Sequence, residues 1–185
     1  KENLGIIYRN MERAASLISS FKRVAVDQSN ENRRQFNMLQ LINEVLLSLR
    51  PNLKKTQHQV ELECDPTLEI DSKPGPVNQI LINLIMNSLI HAFEHMEQGT
   101  MTISVTLANS RCYLHYQDNG AGVPENIKKR IFDPFVTTKR GEGGSGLGMH
   151  LVYNLVTQAL NGKIQLESSL DHGIDIQIDF PVIPK

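Results

Sequence analysis

A chain of 185 residues that is 40% apolar and 5% aromatic can bury one substantial core and carry an appended element, so one main domain is expected. Its formal net charge of -1 argues against a polyanion-binding surface, since nucleic-acid binders usually carry a strongly basic domain or face. Cys64 and Cys112 make neither a metal pattern nor a dense disulfide framework, and no run of about 18 apolar residues is present to cross a bilayer.

In chain order, Leu4, Ile7, Met11, Ala14, Ile18, Phe21 and Ala25 recur at spacings of three and four, which keeps one helical face against a partner. That partner is either another chain in a helical bundle or the chain's own domain; the repeats are too few to separate the two. Residues 28–34 are polar throughout and read as a linker, and the domain is expected over 35–185. Met38, Leu41, Ile42, Val45, Leu46 and Leu49 supply the face of a first domain helix, with Pro51 near its end.

Val60, Leu62 and Cys64 alternate with Glu61 and Glu63, the period of a strand with one wet face. After the turn-rich run Ser72-Lys73-Pro74-Gly75-Pro76, a long helix is predicted over about 77–93. Met101, Ile103, Val105 and Leu107, then Cys112, Leu114 and Tyr116, alternate on either side of Asn109-Ser110, which predicts an antiparallel hairpin. Leu151, Val152, Leu155 and Val156 form a helical face that Asn161-Gly162 ends, and two strands follow around 164–166 and 174–180. Helices on one sheet face with the other left polar make a two-layer α/β sandwich.

Four segments carry chemistry. Asn83 and Asn87, four apart, share a helix face with Ser88 and His91 close by; a carboxamide oxygen can ligate a hard cation and its nitrogen can donate to phosphate. Asp118 ends a strand and is followed by Asn119-Gly120-Ala121-Gly122, where backbone can approach a purine whose exocyclic amine the carboxylate accepts. The run Phe132-Asp133-Pro134-Phe135-Val136-Thr137-Thr138-Lys139 comes next. Gly141, Gly143, Gly144, Gly146 and Gly148 then lead directly into a helix, an arrangement that offers N–H groups to phosphates. Singly, a pair of surface asparagines, an Asp-Asn-Gly turn and a flexible glycine loop each have a structural explanation. Neither a P-loop nor a strand-linked dinucleotide fingerprint is present.

Together and in this order, these segments resemble the ATP-binding catalytic domain of bacterial sensor histidine kinases, in the superfamily that includes DNA gyrase B, Hsp90 and MutL. The resemblance covers roughly 35–181, and residues 1–27 resemble the second helix of the kinase dimerisation hairpin. It implies a Bergerat-type ATP-binding fold with a mixed, mainly antiparallel sheet, and a mobile lid over about 125–145. Asn87 is then the principal Mg²⁺ ligand and Asn83 a supporting phosphate-site residue. Asp118 reads the adenine amine in a pocket shaped by Gly120 and Gly122. Phe132, Pro134 and Phe135 anchor the lid, which contains Thr137, Thr138 and Lys139, and Lys139 or Arg140 is a candidate for the γ-phosphate. Gly144, Gly146, Leu147 and Gly148 flank the phosphates, and His91 is a phosphate-site or packing residue. His58, His95, His115, His150 and His172 are given ordinary surface or boundary roles.

The implied reaction is transfer of the ATP γ-phosphoryl group to a hairpin histidine, on the same or the sister protomer, for relay to a response-regulator aspartate. The acceptor helix is not among these residues, so the chain alone is not expected to autophosphorylate, and homodimerisation is expected of the full-length protein. The expected location is cytoplasmic, with no membrane contact by this segment, although the parent can be attached to the inner membrane. Two positions depart from the family's usual pattern: Ile90 where Lys, Asp or Glu is common, and Gly173-Ile174 in place of Gly-Thr. A superfamily ATPase is disfavoured because Asn83 stands where those proteins have a water-activating Glu. A nucleotide-regulated binding module without turnover is the reading from a different class.

Overall fold

The structure, a computed structural model, describes residues 32–137 and 145–183. The expected N-terminal helix, most of the expected linker, and Thr138, Lys139, Arg140, Gly141, Gly143 and Gly144 lie outside the described residues.

The first element, β1 (Arg34–Asn37), begins within the stretch expected to be linker, and Arg33 just before it binds Asp71 at 2.7 Å. Asn37 then caps α1 (Met38–Ser48): its side chain accepts from the Gln40 N–H at 2.9 Å and donates to the Pro66 carbonyl at 2.8 Å. Met38, Leu41, Ile42 and Val45 turn inward as their spacing predicts. The helix ends at Ser48, close to Pro51 as expected, and Pro51 itself lies in the first turn of a separate short helix, α2 (Arg50–Leu53), where its missing N–H costs nothing.

Next come β2 (Gln59–Cys64) and β3 (Glu69–Ser72). The latter pairs antiparallel with β1 in a two-stranded ladder that the sequence reading lacked. The long helix α3 (Pro74–Asn87) starts three residues earlier than predicted, since a proline in the first turn is compatible with helix. It continues as a π turn over Ser88–Ala92.

A hairpin of β4 (Thr100–Ala108) and β5 (Arg111–Asp118) follows, and both of its turn residues, Asn109 (φ 50°) and Ser110 (φ 57°), are left-handed as a two-residue hairpin loop requires. After the short α4 (Glu125–Lys128) comes α5 (Gly148–Asn154), prolonged by a second π turn over Leu155–Ala159, then β6 (Lys163–Ser168) and β7 (Ile174–Pro181).

The main sheet has the order β2-β4-β5-β7-β6, with β2 parallel to β4 and all other pairs antiparallel. The parallel pair needs a crossover, and α3 supplies it. Met101, Ile103, Val105, Leu114, Tyr116, Ile176, Ile178 and Phe180 point to one face, against Val77, Ile80, Leu81, Leu84 and Ile85 of α3 and Val152 and Val156 of α5. The other face is polar; His115 and Asp175 meet there at 2.9 Å, and Arg111 pairs with Asp179 at 2.6 Å. This is the predicted two-layer sandwich. Among the described residues no helix is long and apolar enough to cross a membrane.

Candidate functional site

The site forms where the end of α3 meets the end of β5. Asp118, the last residue of β5, is the one charged side chain buried among the described residues, with 5% exposure. Its Oδ1 accepts from the Gly120 N–H at 3.0 Å and the Ile174 N–H at 3.3 Å, while Oδ2 accepts from the Ser88 hydroxyl at 2.5 Å. Burial pushes this carboxyl above the usual carboxylate range, and the bonds from Ser88, Gly120 and Ile174 oppose that shift only in part. Behind it, the buried Tyr116 hydroxyl lies 2.7 Å from Ser88 Oγ and 3.2 Å from the Leu84 carbonyl.

The π turn ties these parts together. At its end the Ala92 carbonyl, freed from the helix ladder, accepts from the Ala121 N–H at 3.0 Å and pins the loop after Asp118 to the helix. Gly120 is required by this contact, because a Cβ there would lie 2.4 Å from the Ala92 Cβ. Gly173 is constrained more tightly still: it has φ +69°, and a Cβ would lie 1.8 Å from the Asp118 carbonyl oxygen. The Ser168 hydroxyl joins the two loops, accepting from the Val123 N–H at 2.9 Å and donating to the Gly173 carbonyl at 2.6 Å.

Asp118 opens into a cavity of about 290 Å³ lined also by Asn83, Asn87, His91, Gly122, Gly146 and Gly148. Most of its remaining wall is aliphatic: Met86, Ile90, Val123, Ile127, Ile131, Met149, Leu166 and Ile174. Asn83 donates its Nδ2 to the Gln79 carbonyl at 2.7 Å, so the free end of its carboxamide is the oxygen. That Oδ1 and the Asn87 carboxamide converge over Gly148, at 3.5 and 3.2 Å from where a Cβ would stand. Two uncharged oxygen donors suit a hard cation whose charge is balanced by phosphates rather than by protein carboxylates. No cluster of three or more His, Cys, Asp or Glu is present among the described residues to bind a metal outright.

The two bases of the glycine-rich segment also meet at the cavity. Val136, Thr137, Ser145 and Gly146 all line it, and Gly146 (φ +66°) approaches so near that a Cβ would lie 2.5 Å from the Phe135 carbonyl carbon. Phe132 packs on Tyr153 of α5 with ring centroids 5.3 Å apart, and its carbonyl accepts from His150 Nδ1 at 2.8 Å. Asn154 Nδ2 donates to His150 Nε2 at 3.1 Å, which makes His150 a bridge rather than a surface residue. Phe135, in contrast, is 48% exposed.

Of the residues singled out from sequence, Asn83, Asn87, His91, Asp118, Gly122, Gly146 and Gly148 are thus brought together at one cavity. Gly120 packs against Ala92 of the wall, Leu147 is buried between the lining Gly146 and Gly148, and Thr138, Lys139 and Gly144 lie outside the described residues. The binding of Asp118 by Ser88, by the Ile174 backbone and, at one remove, by Tyr116 had no counterpart in the sequence reading. A wider, shallower cleft of about 690 Å³ lies on the open sheet face by Thr102, Gln117 and Lys128. Its lysine is already engaged by Glu125 at 3.1 Å and Glu167 at 3.4 Å.

The cavity thus combines a buried carboxylate beside an aliphatic slot with paired carboxamides over a helix-starting glycine. The profile of the histidine kinase-, DNA gyrase B- and HSP90-like ATPase family matches residues 72–184, and the chain belongs to that family. Within it, the chain is an ATP-binding catalytic domain of the sensor histidine kinase type: it is 31% identical over 179 residues to sporulation kinase A of Bacillus subtilis, covering 95% of this chain and 28% of that protein. The chain spans about a quarter of the length of the curated relatives first matched.

The catalytic domain of histidine kinase ThkA, solved free of nucleotide, superposes with a TM-score of 0.70 at 27% identity, covering 81% of this chain and 95% of that one. The complex of ThkA with response regulator protein TrrA shares the fold at a TM-score of 0.71 and 23% identity, over 100% of this chain and 52% of that one.

Proposed function

We propose that this chain is the catalytic part of a protein-histidine kinase: it binds ATP in the cavity beside Asp118 and delivers the γ-phosphoryl group to a histidine on a dimerisation hairpin, for relay to a response-regulator aspartate. The observation that carries the reading is the Asp118 carboxylate, buried and held by three donors yet facing an apolar slot. Such a group recognises a flat base through one exocyclic amine, and the aliphatic wall supplies the contact area.

In this reading Asn87 would ligate Mg²⁺ through its carboxamide oxygen, with Asn83 a supporting phosphate-site residue on the same helix. The ion, when bound, neutralises charge on the phosphate oxygens. Gly148 lets the start of α5 approach the phosphates without a Cβ between them and the two asparagines. His91 lines the same cavity as the asparagines and Thr137 its lid base; both contribute polar groups to the phosphate end. Thr138, Lys139 and Gly144 belong to the lid that closes over the nucleotide, with Lys139 as a donor to the γ-phosphate. The neutral imidazole of the acceptor is itself a nucleophile, so the domain's task is alignment and charge neutralisation rather than proton abstraction.

Among the described residues lining the cavity, Asp118 is the single carboxylate, and it is committed to Ser88, Gly120 and Ile174. No carboxylate is left in the described wall to activate a water, and Asn83 stands where the superfamily ATPases carry that glutamate, which favours phosphoryl transfer over hydrolysis. In this reading residues 1–27 belong to the dimerisation hairpin and 35–185 to the catalytic domain, with the acceptor on a preceding helix; of the linker expected over 28–34, Arg33 and Arg34 join the domain through Asp71 and β1.

The test has two stages. Calorimetric titration with ATP and Mg²⁺ is expected to show saturable binding that Asp118→Ala and Asn87→Ala each weaken; a folded chain that binds no ATP refutes the site. Incubation of the chain with labelled ATP and a separately produced hairpin carrying the acceptor helix is then expected to label the hairpin. ATP binding with no transfer supports the binding-module reading.

A further inference from the structure

The proton inventory around Asp118 assigns a task to two residues outside the wall of the cavity. A carboxylate offers about four lone pairs. Two on Oδ1 are filled by the Gly120 and Ile174 N–H groups, and one on Oδ2 by the Ser88 hydroxyl. One lone pair on Oδ2 remains for the cavity, which Asp118 lines. Ser88 has a single hydroxyl proton, so donating it to Asp118 obliges Ser88 Oγ to accept from Tyr116, 2.7 Å away. The Leu84 carbonyl, 3.2 Å from the Tyr116 hydroxyl, accepts that proton when the chain runs the other way. The protons therefore run from Tyr116 to Ser88 to Asp118 when Asp118 is charged, and in the reverse direction when it is neutral.

We propose that Ser88 and Tyr116 are specificity-determining positioning residues: their hydroxyl chain keeps the free lone pair of Asp118 an acceptor aimed at the cavity, and so selects a purine with an exocyclic amine over one with a carbonyl at the same position. Ser88 is 1% exposed and Tyr116 fully buried, so no water replaces either hydroxyl without rearrangement. Ser88 lies four residues beyond the buried Leu84 and seven beyond the buried Leu81, so the phase of α3 turns its side chain inward under the end of β5. When the chain is cut at Ser88, Oδ2 loses its donor in a buried place, and the carboxyl meets the shortfall by protonating or rotating. Protonation puts a donor where the base is read, and rotation turns the free lone pair away from it.

The inference rests on the adenine-nucleotide reading, and the experiment separates the two. ADP and inosine diphosphate, which carry an amine and a carbonyl at the same ring position, are titrated with Mg²⁺ into the whole chain and into Ser88→Ala and Tyr116→Phe. The wild type is expected to prefer ADP. Ser88→Ala is expected to weaken ADP binding about tenfold, the size of one hydrogen bond to a charged group, while inosine diphosphate changes less, so that the ratio falls. Tyr116→Phe keeps the ring packing and shifts the ratio in the same direction by a smaller factor; it decides the matter if Ser88→Ala does not fold. Equal weakening of both nucleotides, or an unchanged ratio in a folded variant, overturns the positioning role. A wild type that binds neither nucleotide overturns the adenine reading and this inference with it.

Discussion

Asn in place of Asp118 is predicted to make the nucleotide-free fold more stable while removing nucleotide binding. Every polar contact survives the change. The Asn Oδ1 accepts from Gly120 and Ile174 as before, its Nδ2 donates to Ser88 Oγ, Ser88 then donates to Tyr116, and Tyr116 donates to the Leu84 carbonyl. What disappears is an ionised carboxylate at 5% exposure. Removing such a group from water costs several kcal/mol, and the upward displacement of the Asp118 carboxyl says that this cost exceeds what its three donors return.

The sign follows from proton linkage. Asp118 holds its proton to higher pH in the folded chain than in the unfolded one, so stability falls as pH rises from the ordinary carboxylate range through the raised folded value, and the loss is complete above it. Each unit of displacement is about 1.4 kcal/mol, and 1 kcal/mol moves the midpoint of a domain of this size by about 2–4 °C, so a single unit appears as roughly 3–6 °C. Thermal unfolding of both proteins between pH 4 and pH 8 is the assay: Asp118→Asn should melt higher at pH 8, and the two curves should converge towards pH 4. A variant that melts lower at pH 8, or a gap that widens on acidification, refutes the reasoning. Under the adenine reading the same variant turns a donor towards the base amine and should lose at least about a hundredfold in ATP affinity.

Other outcomes follow from single contacts. Gly173→Ala combines a φ of +69° with an overlap at the Asp118 carbonyl, and should cost at least about 2 kcal/mol in urea unfolding; wild-type stability would show that the loop yields freely. His150→Phe keeps a ring but severs the bridge from Phe132 to Asn154, and should cost about 1 kcal/mol and speed proteolytic cleavage within 129–145. The Cys112 thiol is pushed up to about 12 by burial, so at pH 8 in a Cys64→Ser background it should react with a thiol reagent only on unfolding; prompt reaction in the native state counts against the buried placement.

The parts legible in the sequence are those where a side chain's identity or alternation carries the signal. The hairpin of β4 and β5 was readable because Asn109 and Ser110 tolerate the left-handed turn and because Met101, Ile103 and Val105 alternate with polar residues. The small ladder of β1 and β3 was not: Arg34-Gln35-Phe36-Asn37 and Glu69-Ile70-Asp71-Ser72 have no alternating apolar set, and each becomes a strand only by meeting the other across more than thirty residues. Pro51 follows the end of α1 as expected, but the short helix it opens and the early start of α3 at Pro74 were missed for one reason. A proline stops a helix that precedes it and suits the first turn of one that follows, and local sequence does not say which side the helix lies on.

The site divides along the same line. Asn83, Asn87 and Asp118 act through side chains, so their types and spacing pointed to a shared cavity before any coordinates did. The groups that set the state of Asp118 are a backbone N–H at Ile174, reached through the register of β5 with β7, and a hydroxyl at Ser88, turned inward where α3 becomes a π turn. The first leaves no mark, since any residue but proline offers the same N–H, and the second falls on the buried face of α3, where a serine reads as a break in the apolar stripe rather than as a ligand. The usual Gly-Thr places a hydroxyl where this chain has Ile174, and read from sequence alone that loss weakens the pocket. A hydroxyl does reach Asp118 here, from Ser88 just beyond α3, beside the backbone N–H that Ile174 supplies from β7. Recognition by such a site is a property of how many donors a buried acceptor already has, and that number is fixed by strand register and helix phase together rather than by any one motif.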